Sequence, residues 1–338
     1  MTASRTTPTA PPPESPDPAA PDPDPASTPL HVVLGASGGI GGAVVRELVA
    51  RGHRVRAVAR HRAGDLPAGV DFLAADIGTG DGARLAAAGA AVVYHCAQPA
   101  YHRWPREFPA LTAAVTAGTA AAGAKLVFAD NLYMYGPITE ATPQRATSRK
   151  GAVRIEMANR LLAAHAAGTL RVAIGRASDY YGPGGAGSAA GEHVFGAAVR
   201  GKTVSWPASL DQPHTFHFLG DIARGLVTLG TDAAADGQAW VLPAAGPLTA
   251  REFFGLVFDA AGRSPRARAM SKPMARAVGL FVPPVRELPD IWYQTAAPFV
   301  IDATRFQATF GPSPVTPHPE AIRQTVAWFR DHGTPKTA

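Results

Sequence analysis

At 338 residues, 46% of them apolar and 17% charged, the chain can build one large α/β unit or two domains around a substantial core. Its net charge of +6 is scattered, with no block of about five or six basic residues and no interleaved aromatics, which sets nucleic acid aside as a partner. No run of about 18 apolar residues occurs, so no membrane partner is expected, and a single cysteine excludes an internal disulfide and fits a reducing, cytoplasmic compartment.

Residues 1–29 hold ten prolines and no apolar periodicity. Proline donates to neither a helix nor a sheet ladder, so a disordered, extended tail is expected there. It lacks the basic-then-apolar layout of a secretory leader, and Glu14, Asp17, Asp22 and Asp24 argue against a transit peptide.

The apolar run Leu30–Leu34 then leads into Gly35-Ala-Ser37-Gly38-Gly39-Ile40-Gly41, which reads as a strand, a tight turn and a helix start. Such a turn aims backbone N–H groups and the positive end of a helix at a phosphate. Gly35 permits the turn, Gly38 lets the backbone approach a pyrophosphate, and Gly41 lets the helix pack on the sheet. Gly35, Ser37, Gly38, Gly39, Ile40 and Gly41 are therefore assigned to a dinucleotide.

Helical spacing over 39–52 puts Ile40, Val44, Val45, Leu48 and Val49 on one side, with Gly52 as the stop. Further strands are predicted at Arg54–Ala59, Val70–Ala74, Ala91–Ala97, Lys125–Ala129 and Leu170–Gly175, with helices around 81–89, 108–122 and 152–167. This alternation implies an α/β fold, a Rossmann-type doubly wound parallel sheet whose ligands lie at the carboxyl ends of its strands. Cys96 falls in the fourth strand and reads as packing. Beyond residue 176 glycine and proline become frequent, with helices predicted at 220–230, 249–262 and 318–332. The organisation expected is a tail over 1–29, a dinucleotide-binding core over 30–184 and a smaller, interleaved substrate-binding lobe over 185–338.

A carboxylate after the second strand usually selects NAD by bonding the ribose 2′-hydroxyl. Here that strand ends Ala59-Arg60-His61-Arg62, with two arginines and no acid. A guanidinium pairs bidentately with a 2′-phosphate, so NADP(H) is expected over NAD(H). Arg60 stacking on adenine without discriminating is the alternative. Of eleven histidines, His214 and His217 are the closest-spaced candidate pair, but an extended segment puts them on opposite faces, and no metal is expected. No Gly-x-Ser-x-Gly elbow supports a serine hydrolase.

Taken together, these motifs resemble the short-chain dehydrogenase/reductase superfamily, and most of all its extended branch of NAD-dependent epimerases and dehydratases, over roughly residues 30–260. The resemblance rests on Gly35-x-x-Gly38-x-x-Gly41, Asp76, Tyr94-His-Cys-Ala97, Asn131-Leu-Tyr133-Met-Tyr135-Gly136, Arg176…Tyr181-Gly-Pro-Gly184 and His217-x-x-x-Asp221-Ile-Ala223. It implies that Asp76 contacts adenine, that Ala97 lines the cofactor and that Tyr181 lies beside the nicotinamide. It also implies a homodimer through the helices near 108–122 and 152–167, where Leu161, Leu162 and alanines permit one. The family's serine is replaced by Asn131, and its Tyr-x-x-x-Lys pair is missing. Lining up Ala158–Leu162 with the family helix puts Lys150 in the tyrosine slot and Arg154 in the lysine slot, and the loss of the pair resembles the superfamily's atypical members, which keep the fold and cofactor turn but lose the tetrad.

Lys150 can donate a proton if burial or cations lower its pKa. Arg154 stays charged and can hold ribose hydroxyls or a phosphate. Asn131 can hydrogen-bond a carbonyl as serine does. Lys150 and Arg154 as solvated residues at a helix start remain the alternative. Tyr133 or Tyr101 is expected to supply the acid in a reduction, with Tyr135, Tyr180 and Tyr181 also at the strand ends. Asp221 reads as a helix cap. Two functions stay open. One is an NADP(H)-dependent oxidoreductase or epimerase acting on a small carbonyl or sugar-nucleotide substrate. The other is a sensor that binds the cofactor without turnover.

Overall fold

The computed structural model describes residues 28–62, 66–135, 142–145, 148–281, 283–286 and 288–332. The proline-rich stretch 1–27 and Gly136 lie outside the described residues.

The chain first alternates strand and helix: β1 (Leu30–Leu34), α1 (Gly39–Ala50), β2 (Arg54–Ala59), β3 (Asp71–Ala74), α2 (Gly80–Ala87), β4 (Ala90–His95), α3 (Trp104–Ala121), β5 (Lys125–Asn131), α4 (Arg149–Ala166) and β6 (Arg171–Ala177). The remainder carries β7 (Tyr180–Tyr181), α5 (Ala197–Val199), β8 (Val204–Pro207), β9 (Pro213–His214), β10 (His217–Phe218), α6 (Leu219–Thr231) and β11 (Gln238–Val241). It ends with β12 (Leu248–Thr249), α7 (Ala250–Ala260), β13 (Ala267–Met270), α8 (Lys272–Gly279), α9 (Pro283–Arg286), α10 (Tyr293–Ala296), α11 (Thr304–Phe310) and α12 (His318–His332).

Seven strands form one parallel sheet in the order β11-β6-β5-β4-β1-β2-β3. The order reverses between β1 and β4, which opens a crevice at their carboxyl ends where such sheets bind ligands. Both faces are covered, as the apolar strands require. Val44, Val45 and Leu48 of α1 share one core with Ile222, Leu226 and Leu229 of α6, while Phe108, Val115, Met157 and Leu161 of α3 and α4 fill the other. Burying Leu48 fully contributes about 1.5–3 kcal/mol. A third core gathers around Phe195, Trp206, Phe216, Phe253 and Phe329.

Three differences from the sequence reading matter for the site. Helix α3 starts at Trp104 rather than near 108, with Pro105 in the first turn, where its missing N–H costs nothing. Helix α4 starts at Arg149 rather than near 152, because the Ser148 hydroxyl accepts from Gly151 N–H at 3.1 Å and caps it. Strand β5 runs on to Asn131, in register with Ala177 of β6. The seventh strand, β11, comes from beyond residue 184 and is followed by a cover: the Arg305 guanidinium of α11 lies 4.1 Å from the Trp240 ring centroid, and Phe306 and Phe310 pack on the same ring.

Candidate active site

At the β1–α1 turn, Gly35 has φ +79°, and a Cβ there would stand 2.7 Å from Ala97 Cα. A Cβ on Gly41 would stand 2.2 Å from the Gly35 carbonyl oxygen. Only glycine fits either position. The turn is pinned to the end of β2, with Gly35 and Ala36 N–H both donating to Val58 O at 2.9 and 3.1 Å. Gly38 caps α1 with no side chain, and no acid lies in the first turn. The first-turn N–H groups have no acceptor within the helix and join its positive dipole end at the crevice. An anion fits there, and a dinucleotide pyrophosphate is the anion that this strand–turn–helix accommodates.

Of the other residues assigned to the cofactor, Arg60 and Arg62 follow β2, Asp76 follows β3 and Ala97 follows β4. Ala97 backs onto Gly35. Arg60 and Arg62 lie exposed past the end of β2, the latter 5.6 Å from the Phe72 ring centroid. Asp76 follows β3 and accepts Gly78 N–H at 3.0 Å. Tyr181 is built into the third core, stacked on Phe195, with its hydroxyl 2.9 Å from His318 Nδ1. Three phenylalanines and a histidine enclose its ring.

The second part of the site stands at the ends of β5 and β6. Asn131 Oδ1 accepts Tyr133 N–H at 3.2 Å, which leaves the Nδ2 amide as a donor. Lys150 and Arg154 lie one turn apart on α4, and both are buried. They are not solvated residues at a helix start. The Lys150 ammonium sits 4.0 Å from the Tyr101 ring centroid. The Arg154 guanidinium lies 4.3 and 4.5 Å from Trp104 and Phe108 and donates to Asp130 Oδ1 at 3.2 Å. Arg176 Nε donates to Asp130 Oδ2 at 3.1 Å, and Arg176 Nη1 donates to the Tyr135 hydroxyl. The role expected of Arg154 on ribose or phosphate is therefore corrected: a buried guanidinium must be paired, and Asp130 pairs it. Burial lowers the Arg154 pKa, against the opposing pull of Asp130.

Tyr133 is half-buried, edge-on to Tyr101 and stacked against Trp104, and its carbonyl accepts the Tyr293 hydroxyl at 2.7 Å. Burial, then Tyr101 and Asp179, push its phenol well above the usual tyrosine range, so it is a neutral donor. Beside it, the turn from β6 to β7 carries Asp179, whose Oδ2 lies 3.1 Å from His214 Nε2. His217 holds that turn, accepting Ser178 N–H on Nδ1 at 3.1 Å and reaching Leu242 O through Nε2 at 3.0 Å. That pattern fixes a neutral ring, in keeping with burial lowering its pKa to about 4. Asp221 does not cap α6; it accepts Thr316 N–H and the Thr316 and Arg224 side chains, tying the segment before α12 to α6. Burial pushes the Cys96 thiol up to about 12, which suits packing and not nucleophilic attack.

Sequence reasoning missed Asp130, Asp179 and Tyr293. The signal for Asp130 was an acid closing an otherwise apolar strand. Asp179 stood inside a quoted motif, but its partner His214 is 35 residues away.

The structure is similar to that of DesIV, a dTDP-glucose 4,6-dehydratase from Streptomyces venezuelae solved as a double mutant with NAD and DAU bound. The TM-score is 0.73 at 19% identity, covering 89% of this chain and 97% of that one. It is also similar to a UDP-glucose 4-epimerase from Thermus thermophilus in complex with NAD, with a TM-score of 0.69 at 20% identity, covering 89% of this chain and 99% of that one. An uncharacterized protein of Mycobacterium tuberculosis is 45% identical over 65 residues, which span 19% of this chain and only 8% of that protein. The model of the NAD dependent epimerase/dehydratase family matches residues 31–242, more than half of the chain. The chain belongs to the NAD dependent epimerase/dehydratase family.

Proposed function

We propose that this protein is an NADP(H)-preferring oxidoreductase or epimerase of the cytoplasm that acts on a small carbonyl or sugar-nucleotide substrate. The observation that supports the reading is that the glycine turn follows β1 and Asn131 ends β5, both at carboxyl ends of the one parallel sheet. A bound nicotinamide supplies a hydride donor or acceptor. The chain's own residues do the rest. The N–H groups of the α1 turn hold the pyrophosphate, and Arg60 and Arg62 face the ribose. Asn131 Nδ2 and the neutral Tyr133 phenol donate to the substrate oxygen. Tyr133 or Tyr101 gives the proton in the reducing direction, and the buried Lys150 ammonium steadies negative charge that develops there. Pairing of two copies through α3 and α4 accompanies this reading.

Fluorescence titration with NADPH and NADH, followed by a panel of ketones, aldehydes and nucleotide sugars, tests it. NADPH is expected to bind more tightly, and Arg60→Ala with Arg62→Ala to weaken NADPH by roughly ten-fold or more while sparing NADH, the loss of one or two charge-assisted hydrogen bonds. Equal dissociation constants in the unchanged protein refute the preference. Tight binding with no turnover favours the sensor.

A further inference from the structure

Asp179 and His214 are a carboxylate and an imidazole that the family's serine–tyrosine–lysine pattern does not use. Asn131 and Ala177 are paired in register at the ends of β5 and β6, so Tyr133 and Asp179, each two residues further on, leave the sheet side by side. Asp179 keeps 14% of its side chain exposed while His214 is buried. Its Oδ2 faces His214, and among the described residues nothing donates to Oδ1. The His214 ring is stacked on Phe299 at 5.3 Å and packed against Phe216 at 4.7 Å, so it cannot swing away. Its Nε2 lies toward Asp179 and its Nδ1 lies 3.3 Å from Gln294 O. Nε2 lies within 3.1 Å of Asp179 without making an aligned hydrogen bond, so this buried polar atom is left without a hydrogen-bond partner among the described residues. The same carboxylate acts on the phenols of Tyr133, Tyr180 and Tyr293, which places it inside the tyrosine cluster.

We propose that Asp179 is a second acid–base group of the cleft, which removes the proton from the carbon next to a substrate carbonyl, with His214 as its positioning residue. The C–H bond breaks and the proton forms an O–H bond on Asp179. The electron pair moves into a new C=C bond, and the carbonyl pair moves onto oxygen, where Asn131 and Tyr133 donate. Return of the proton completes the step, so no oxidant or reductant is consumed. The inference rests on the enzyme reading above and extends it to inversion or exchange at a centre beside the carbonyl.

The test is solvent exchange. The full chain is incubated in deuterium oxide with dihydroxyacetone and fructose as probes, and the protons beside the carbonyl are followed by NMR. Wild type is expected to exchange them, D179N to lose the exchange at least 100-fold at saturating probe, D179E to recover part of it, and H214Q to lose roughly ten-fold. Cofactor dissociation constants should stay put in D179N, which separates a chemical role from a structural one. Exchange by D179N at the wild-type rate overturns the proposal, as does wild type that binds cofactor yet exchanges neither probe. Failure of wild type to bind either cofactor instead sinks the reading on which the proposal rests.

Discussion

The β1–α1 turn and the β5–α4 wall meet the same crevice by opposite means. The turn uses almost no side chains: its shape comes from two glycines that nothing else can replace, and its polarity from peptide groups. The wall is all side chains, with Asp130, Lys150, Arg154 and Arg176 buried among aromatic rings. A site made of backbone tolerates few substitutions and keeps its sequence pattern. A site made of side chains can exchange members of its chemistry while the fold beneath it stays the same.

The sharpest way to break this contrast is at Gly41. Gly41→Val drives a branched side chain into the Gly35 carbonyl, and NADPH binding should fall more than 100-fold with a lowered melting midpoint. At Gly38 a Cβ would have 3.4 Å of clearance, so Gly38→Ala should keep the melting midpoint and weaken only the cofactor. Wild-type affinity in Gly41→Val would remove the backbone argument altogether. Next comes the wall. Asp130→Asn leaves two buried guanidinium groups short of their counter-ion and should destabilise the fold by about 3–5 kcal/mol in urea denaturation. A loss below about 1 kcal/mol would mean that water or other partners already neutralise the arginines. The smallest effect is pH. The glycine turn carries no titratable side chain, whereas His95 and His217 beside the wall are held neutral by burial, with pKa values of about 3 and 4 against an ordinary 6.5. The unfolded chain takes up these protons first, so stability that is full above pH 6.5 is lost as pH falls toward 4. Between pH 7 and 5.5 each histidine should cost on the order of 1 kcal/mol, read as a lower melting midpoint. A flat midpoint over that range would show that neither ring is held neutral.

The glycine turn, the alternating elements and the six strands up to β6 were legible because each rests on residues close in sequence. Partnership was not. The pairing of Arg154, read as a ligand for ribose or phosphate, and of Arg176, read as part of a cofactor-side motif, went unseen because the acid that binds both lies 24 and 46 positions upstream. Strands of two residues, such as β9 and β10, are too short to show a period, so the turn that brings His214 to Asp179 left no trace. The cap at Ser148 starts α4 three residues earlier than expected, and the burial of Lys150 and Arg154 comes from tertiary partners, the rings of α3 and its approach and Asp130 of β5, that no local pattern shows.

A parallel sheet cut from its surroundings ends in two rows of unpaired peptide groups, which invite another chain to add a strand. At the β11 end α11 intervenes, with Arg305 reaching the Ala239 carbonyl at 3.5 Å and its aromatic residues lying on Trp240. The short stretch from 304 to 310 is thus a guard against self-association, and its value to the molecule is measured in solubility as much as in folding.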